Sequence, residues 1–461
     1  MDSNNPLFRQ TLTPKDAANQ YARFGLSQNP FPTSPTINPL STDPRDNGDI
    51  YCASLREKEE KKFEALLIPN ANQSEPRMIA FLMDYATRRG RGIGKTAFIN
   101  HQRKRIMKDL GNEISGGSTV MVAAHVIPEG SGRTRKYWQF TRLLAEALSH
   151  GQCITWAIWR IRASHGNIPQ EILQLVDPQN PGDTLGNDRW LSDQGVNILF
   201  DLVPAIERFL VKNGVRDDVA KSLALYGHNS EQWERQYLQQ ISDYRWRREG
   251  NQLVLDDLVR LFRAAGIDRA LLLVDQVEEI VIEQNSQERR LFLNDLRHSF
   301  IDGQYQSATT RFYNILLVLH PLIQEIWGPH WEAAGLDRTC AISGPTTQEY
   351  TIYFYPLDRE EAAVPLVTTY MDFSRVLNYH GDKLFPFDRD AVVTALQLYG
   401  GVPGKMLTLL RLVLEKAVRD GMERINSNFV QAIFSDLPPE PIEQEDKGKL
   451  PPTQVDLTGN G

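Results

Sequence analysis

Eight residues, RGRGIGKT from Arg89 to Thr96, set three glycines ahead of a Lys-Thr pair. Glycines at Gly90, Gly92 and Gly94 let backbone N–H groups turn inward around phosphate oxygens, and a helix starting at the lysine adds the positive end of its dipole. Lys95 would reach the outer phosphates of a nucleotide, and the Thr96 hydroxyl would help to hold Mg²⁺. Ile93 and Ala97 lie in the same cradle and contribute their amides. The usual spacing is G-x-x-x-x-G-K-[ST], and Arg89 stands where its first glycine belongs. That position mainly serves the turn out of the preceding strand, and Gly90 is one residue away to supply it. Arg88, Arg89 and Arg91 add positive charge beside the phosphates or toward a partner. A second group is ALLLVDQVEEI, Ala270 to Ile280. Its apolar run ends on Asp275, a carboxylate placed to bind Mg²⁺ directly or through water. Gln276 follows, and an amide holds water by hydrogen bonds but cannot take its proton. Glu278 is the candidate general base and Glu279 the alternate.

These groups need elements to position them. RMIAFLMD, ending at Asp84, has the length of a buried strand and leads into the glycine loop; TAFINHQRKRIMKDL after the loop reads as a helix. Further strands are expected at STVMVAAHVI (118–127), RALLLVD (269–275), NILLVLH (314–320) and YTIYFYPL (350–357). Helical segments LDDLVRLFRAAG and ERRLFLNDLRHSF precede the third and fourth. Alternation of this kind predicts an α/β fold with a parallel sheet covered by helices on both faces. Residues 1–75 form a Pro-, Asn- and Ser-rich extension, 76–127 the first part of the core and 269–357 its second part. Between them, 128–268 reads as a helical insertion holding six of the eight tryptophans: Trp138, Trp156, Trp159, Trp190, Trp233 and Trp246. Residues 358–436 are helical with a break at YGGVPGK, and the Pro-rich polar tail 437–461 is expected to be disordered.

With these motifs in order, the chain resembles the AAA+ and STAND branch of P-loop ATPases over roughly Phe24 to Asp436, the insertion apart. RGRGIGKT is similar to Walker A and LLLVDQVEEI to Walker B. The resemblance implies a P-loop NTPase core, a C-terminal helical lid, ATP and Mg²⁺ as ligands, and slow or partner-stimulated ATPase activity. FGLSQNPF resembles the segment that lines the adenine in several such ATPases, which gives Phe31 that role. YGGVPGKM resembles the lid motif whose proline, here Pro403, packs near the base. NILLVLH stands where the sensor 1 strand would, so His320 is the polar residue expected to face the γ-phosphate. Arg338 in GLDRTCAI stands where many AAA+ proteins carry an arginine finger for the neighbouring subunit's nucleotide. The family departs from this chain at two places. Typical AAA+ proteins have the catalytic glutamate where Gln276 stands, whereas Asp275-Gln276-Val277-Glu278-Glu279 matches the STAND spacing. The sensor 2 arginine is also missing after Pro403, where Gly404 and then Lys405 follow. Both departures point to a switch rather than a fast motor.

Composition limits the alternatives. The chain has 461 residues, 41% of them hydrophobic and 24% charged, and a formal net charge of −7. No apolar run approaches the roughly 18 to 20 residues that cross a bilayer. The polar start, MDSNNPLFRQ, lacks the apolar segment of a secretory signal. Cys52, Cys153 and Cys340 are far apart, which favours a reducing cytoplasm over a disulfide or zinc framework. The leading expectation is a cytoplasmic ATPase acting as a homo-oligomer or with an effector protein. The resemblance also raises DNA loading, transposition and anti-phage defence. The alternative is a scaffold that holds ATP and scarcely hydrolyses it. A third reading is a DNA-dependent ATPase contacting phosphates through Arg133, Arg135, Lys136, Arg245, Arg247 and Arg248.

Overall fold

Strands buried on both faces should read as continuous apolar runs rather than as alternating ones, and five such runs build the sheet. The structure is a computed structural model that describes residues 20–38, 41–69, 77–84, 92–130, 132–178, 180–225, 235, 237–239, 248–302, 312–357 and 360–438. Strands β1 (Ile79–Asp84), β2 (Met121–Val126), β3 (Arg269–Val274), β4 (Tyr313–Leu319) and β5 (Thr351–Phe354) are all parallel. Their order is β2-β3-β4-β1-β5. The register pairs Met83 with Leu319, Asp84 with Phe354, and Val274 with both Val126 and Leu317. The carboxyl ends of β1, β3 and β4 therefore lie side by side.

The longer helices are α1 (Glu57–Leu67), α2 (Lys95–Asp109), α3 (Tyr137–His150), α4 (Cys153–His165), α5 (Val203–Lys212), α6 (Asp217–Leu225), α7 (Arg248–Ala264), α8 (Ser286–Phe300), α9 (Pro321–Ala333), α10 (Glu360–Ser374), α11 (Arg389–Leu398), α12 (Pro403–Arg419) and α13 (Ser427–Asp436). Side chains alternate across a strand, so each strand feeds two cores. One face carries Ala80, Leu82, Leu273 and Val318 against Phe63 of α1 and Phe98 and Ile106 of α2. Phe98 meets Phe63 and Phe354 edge-on, with ring centroids 5.8 and 5.2 Å away. Such pairs add about 0.5–1.5 kcal/mol each beyond burial. The other face carries Phe81, Met83, Leu272 and Leu317 against Leu144 of α3, Ile158 of α4, Phe262 of α7, Phe292 of α8 and Trp331 of α9.

The connections give this arrangement its use. β1 runs into α2 on the first face, and its neighbour β4 runs into α9 on the second. Adjacent strands that leave to opposite faces open a crevice beyond their carboxyl ends, where ligands of open α/β sheets bind.

Between β2 and β3 the described residues are helices and turns without a strand. Trp156, Trp159 and Trp190 there lie partly buried against the second core, so they contribute to packing. Trp233 and Trp246 lie outside the described residues.

The chain divides into two compact units. The sheet unit comprises the described residues of Ser34–Asp358 and Val402–Gly404. The helical unit comprises those of Met1–Thr33, Arg359–Gly401 and Lys405–Gly461. Residues 1–75 read as one extension in the sequence, yet the division falls between Thr33 and Ser34. Within the helical unit Leu26 bridges Arg375, Phe24 packs edge-on against Phe385, and Arg411 donates to the Phe31 carbonyl at 3.2 Å. Most of the tail expected to be disordered, 439–461, lies outside the described residues. Among the described residues no helix is long and apolar enough to cross a membrane.

Candidate functional site

The glycine loop is described from Gly92 onward; Gly90, with Arg88, Arg89 and Arg91, lies outside the described residues. Gly92 and Gly94 have φ of 88° and 100°, left-handed conformations that strain any L side chain. A Cβ on Gly94 would meet none of the described residues within 4 Å. Gly94 caps α2, and the first helical bond runs from Phe98 N to Gly94 O at 3.0 Å. The amides of Lys95, Thr96 and Ala97 therefore have no acceptor within the helix and carry the positive end of its dipole. The side chains of Ile93 and Ala97 are buried, which leaves their backbone for the site.

Arg56, which sequence reasoning missed, braces this loop. Its buried guanidinium donates to the Ile93 carbonyl at 3.2 Å and the Tyr355 carbonyl at 2.9 Å. It also stacks 4.4 Å from the Phe354 ring centroid.

A hydrogen bond joins the first turn of α2 to the residue that follows β3. Thr96 Oγ1 donates to Asp275 Oδ2 at 2.7 Å. The Gln276 amide donates to Asp275 Oδ1 at 2.9 Å, and His125 Nε2 lies 3.6 Å from Oδ2. Burial pushes the Asp275 carboxyl up, but His125, Thr96 and the Gln276 amide together outweigh it and hold the group below the ordinary aspartate range. Asp275 therefore stays charged. His125 also escaped the sequence reading; the available signal was one polar residue near the end of an apolar strand. Among the described residues no three His, Cys, Asp or Glu side chains form a metal-ligand cluster. The Thr96–Asp275 pair suits Mg²⁺, which takes one or two protein oxygens and completes its shell with phosphates and water.

The residues after Asp275 part in direction. Gln276 has φ of 52°, a left-handed conformation that costs a side-chain-bearing residue about 1–2 kcal/mol. Its strain turns the chain sharply out of β3 and starts the short helix Glu278–Val281. The Glu278 carboxyl is held above the ordinary range, first by burial and then by Asp275 and Glu279, with Lys95 pulling the other way. Glu279 leans elsewhere: its Oε2 lies 2.8 Å from where a Cβ on Gly130 would sit, in the loop after β2. Lys95 Nζ is paired with Asp84 Oδ1 at the end of β1, a partner that the sequence did not suggest.

The remaining expected residues lie on other segments of the chain. His320 follows β4 and caps α9, its Nδ1 accepting from the Leu322 amide at 3.3 Å. Arg338 is exposed in a turn. Phe31 belongs to the helical unit, where its fully buried ring packs edge-on against Phe387 at 5.8 Å. Pro403 opens α12, and the next residue touches the glycine loop: Gly404 N donates to Gly92 O at 2.8 Å. A Cβ on Gly404 would lie 2.2 Å from Pro35 O and 3.0 Å from Gly92 Cα. Only glycine fits. Gly404→Ala is accordingly expected to cost about 1–3 kcal/mol by overpacking. Gly328→Ala is the control, since its Cβ would have Ser343 Oγ at 3.8 Å as nearest neighbour and a helix prefers alanine. Thermal melting of the two variants checks the contrast.

Of the cations considered for nucleic acid, Arg133 pairs with Glu129 at 3.2 Å and Arg135 with Glu288 at 3.5 Å, while Lys136 is exposed. Arg245 and Arg247 lie outside the described residues, as does the side chain of Arg248. The arrangement as a whole offers anion-binding amides, a lysine, a hydroxyl–carboxylate pair for a hard cation, and a carboxylate whose proton affinity is raised. No protein-family model matches the chain, and no curated protein matches it.

Proposed function

We propose that the chain is an ATPase of the AAA+ and STAND kind that works as a slow switch, coupling ATP binding and hydrolysis to assembly or partner binding. The observation that carries this reading is the Thr96–Asp275 hydrogen bond. It joins the first turn after the glycine loop to the carboxylate ending a strand two places away in the sheet. That is the pairing a Mg²⁺–nucleotide site requires. The amides from Gly92 to Ala97 bind the phosphates and Lys95 neutralises the outer ones. Thr96 and Asp275 would hold Mg²⁺, which would supply positive charge to the phosphates. Glu278 accepts a proton from the attacking water as the water oxygen bonds to the γ-phosphorus and the bridging oxygen leaves with ADP. His320, the residue after β4, is the polar residue beside the γ-phosphate. Arg338 is free of burial, as a finger for another subunit must be. Pro403, which belongs to the sheet unit and precedes the glycine that touches Gly92, would contact the base.

The test is direct. Purified chain given Mg²⁺ and γ-labelled ATP should release phosphate, and chelation of the metal should stop release. Failure to bind ATP at millimolar concentration would end the reading. A second reading has Gln276 behind it: a scaffold that retains ATP, since the residue after Asp275 cannot take a proton. Under it, ATP bound by the protein is recovered intact after many hours.

A further inference from the structure

The end of β1 holds a carboxylate that the nucleotide reading does not use. Asp84 is the last residue of β1, paired in register with Phe354 of β5 and following Met83, which pairs with Leu319 of β4. It therefore stands at the crevice between β1 and β4. Its side chain is 0% exposed, and one oxygen, Oδ1, is bound to Lys95 Nζ. The other, Oδ2, is buried with no hydrogen-bond partner among the described residues. A buried carboxylate held by a single cation leaves an uncompensated charge when that cation is withdrawn. Lys95 is the cation that a polyphosphate would need.

We infer that Asp84 is a built-in competitor for Lys95, which a nucleotide's outer phosphates must displace before the site closes. This rests on the ATP reading above and adds a restraint to it. With the lysine engaged by Asp84, the site offers an incoming polyanion the carboxylates of Asp275 and Glu278 and no free lysine, so the loop alone is a poor trap for nucleotide. Binding becomes strong only when Lys95 changes partner. Such a competitor suits a switch that should stay empty until ATP and Mg²⁺ arrive together.

The experiment is a titration of the full chain with a fluorescent ATP analogue in the presence of Mg²⁺. Wild type, Asp84→Asn, Asp84→Ser, Lys95→Ala and Asp84→Asn/Lys95→Ala are compared, with thermal melts to establish that each is folded. Both Asp84 variants should bind about tenfold more tightly or better, the factor expected when a charge-assisted hydrogen bond no longer has to be broken. In the Lys95→Ala background the gain should shrink, because no lysine remains to be released. An equal gain in both backgrounds would mean plain repulsion of phosphate by Asp84 and would overturn the inference. Unchanged or weaker binding by both Asp84 variants, with wild type binding normally, would overturn it and leave the ATP reading intact. Absence of binding by every folded variant and by wild type would remove the ATP reading and this inference together.

Discussion

Lys95→Ala is expected to lower ATP affinity and kcat/KM by about 10²-fold or more, the scale of removing a charged group aimed at developing phosphate charge. The same change should destabilise the ligand-free protein. Lys95 is the one cation bonded to the buried Asp84 carboxylate among the described contacts, and its side chain is only 16% exposed. Removing one partner of such a pair costs about 3–5 kcal/mol, because the other charge stays buried. Loss of binding and loss of fold could then be confused in Lys95→Ala alone. The double variant Lys95→Met/Asp84→Asn separates them. It removes both charges, keeps the volumes close and should recover most of the melting temperature, while ATP binding stays lost. If the double variant melts like wild type and still binds ATP with wild-type affinity, Lys95 does not hold phosphate.

How far the sequence led is best judged on particular residues. The five strands were legible because a parallel sheet with both faces covered turns each strand into a short apolar run, and RALLLVD and NILLVLH are almost pure examples. The turn at Gly92–Gly94 was legible because φ of 88° and 100° admits little except glycine. Asp275 stood out as the charge ending a buried strand, and its hydrogen bond to Thr96 spans 179 positions. What stayed hidden was pairing that leaves no local trace. Arg56 lies 37 positions before the Ile93 carbonyl that it braces. His125 and Asp84 look like ordinary strand ends, and only the fold discloses that they face Asp275 and Lys95. Gly404 read as the place of a missing arginine. Its packing on Gly92 and Pro35 gives another reason for the residue, since no side chain fits there. The N-terminal segment around Phe24 and Phe31 reads as part of an extension, yet its partners are Phe385, Phe387 and Arg411, more than three hundred residues on.

Glu278→Gln should separate binding from chemistry most cleanly. The substitution is expected to reduce ATP hydrolysis by about 10²–10⁴-fold, the usual contribution of a positioned general base, while changing ATP affinity only a few-fold. The direction of the pH dependence follows from the environment of Glu278. Burial first, then Asp275 and Glu279, raise its carboxyl above the ordinary glutamate range. Proton acceptance requires the carboxylate, so wild-type turnover should climb as pH rises through that raised pKa; the residual activity of Glu278→Gln should lack this limb. Stability carries the opposite sign. A carboxyl with a raised pKa in the fold stabilises it below the unfolded-state pKa, and this contribution is lost as pH rises through the folded-state value. Glu278→Gln should therefore melt at a higher temperature than wild type at neutral pH and no higher in acid. A merely structural glutamate would not couple a gain in melting temperature to a lost limb in the rate profile. Glu279→Gln is the companion, and with its carboxylate turned toward Gly130 it should keep most of the rate. If Glu279→Gln loses hydrolysis and Glu278→Gln retains it, the two carboxylates exchange roles. If both retain it, neither carboxylate is the base and the proton leaves by another route.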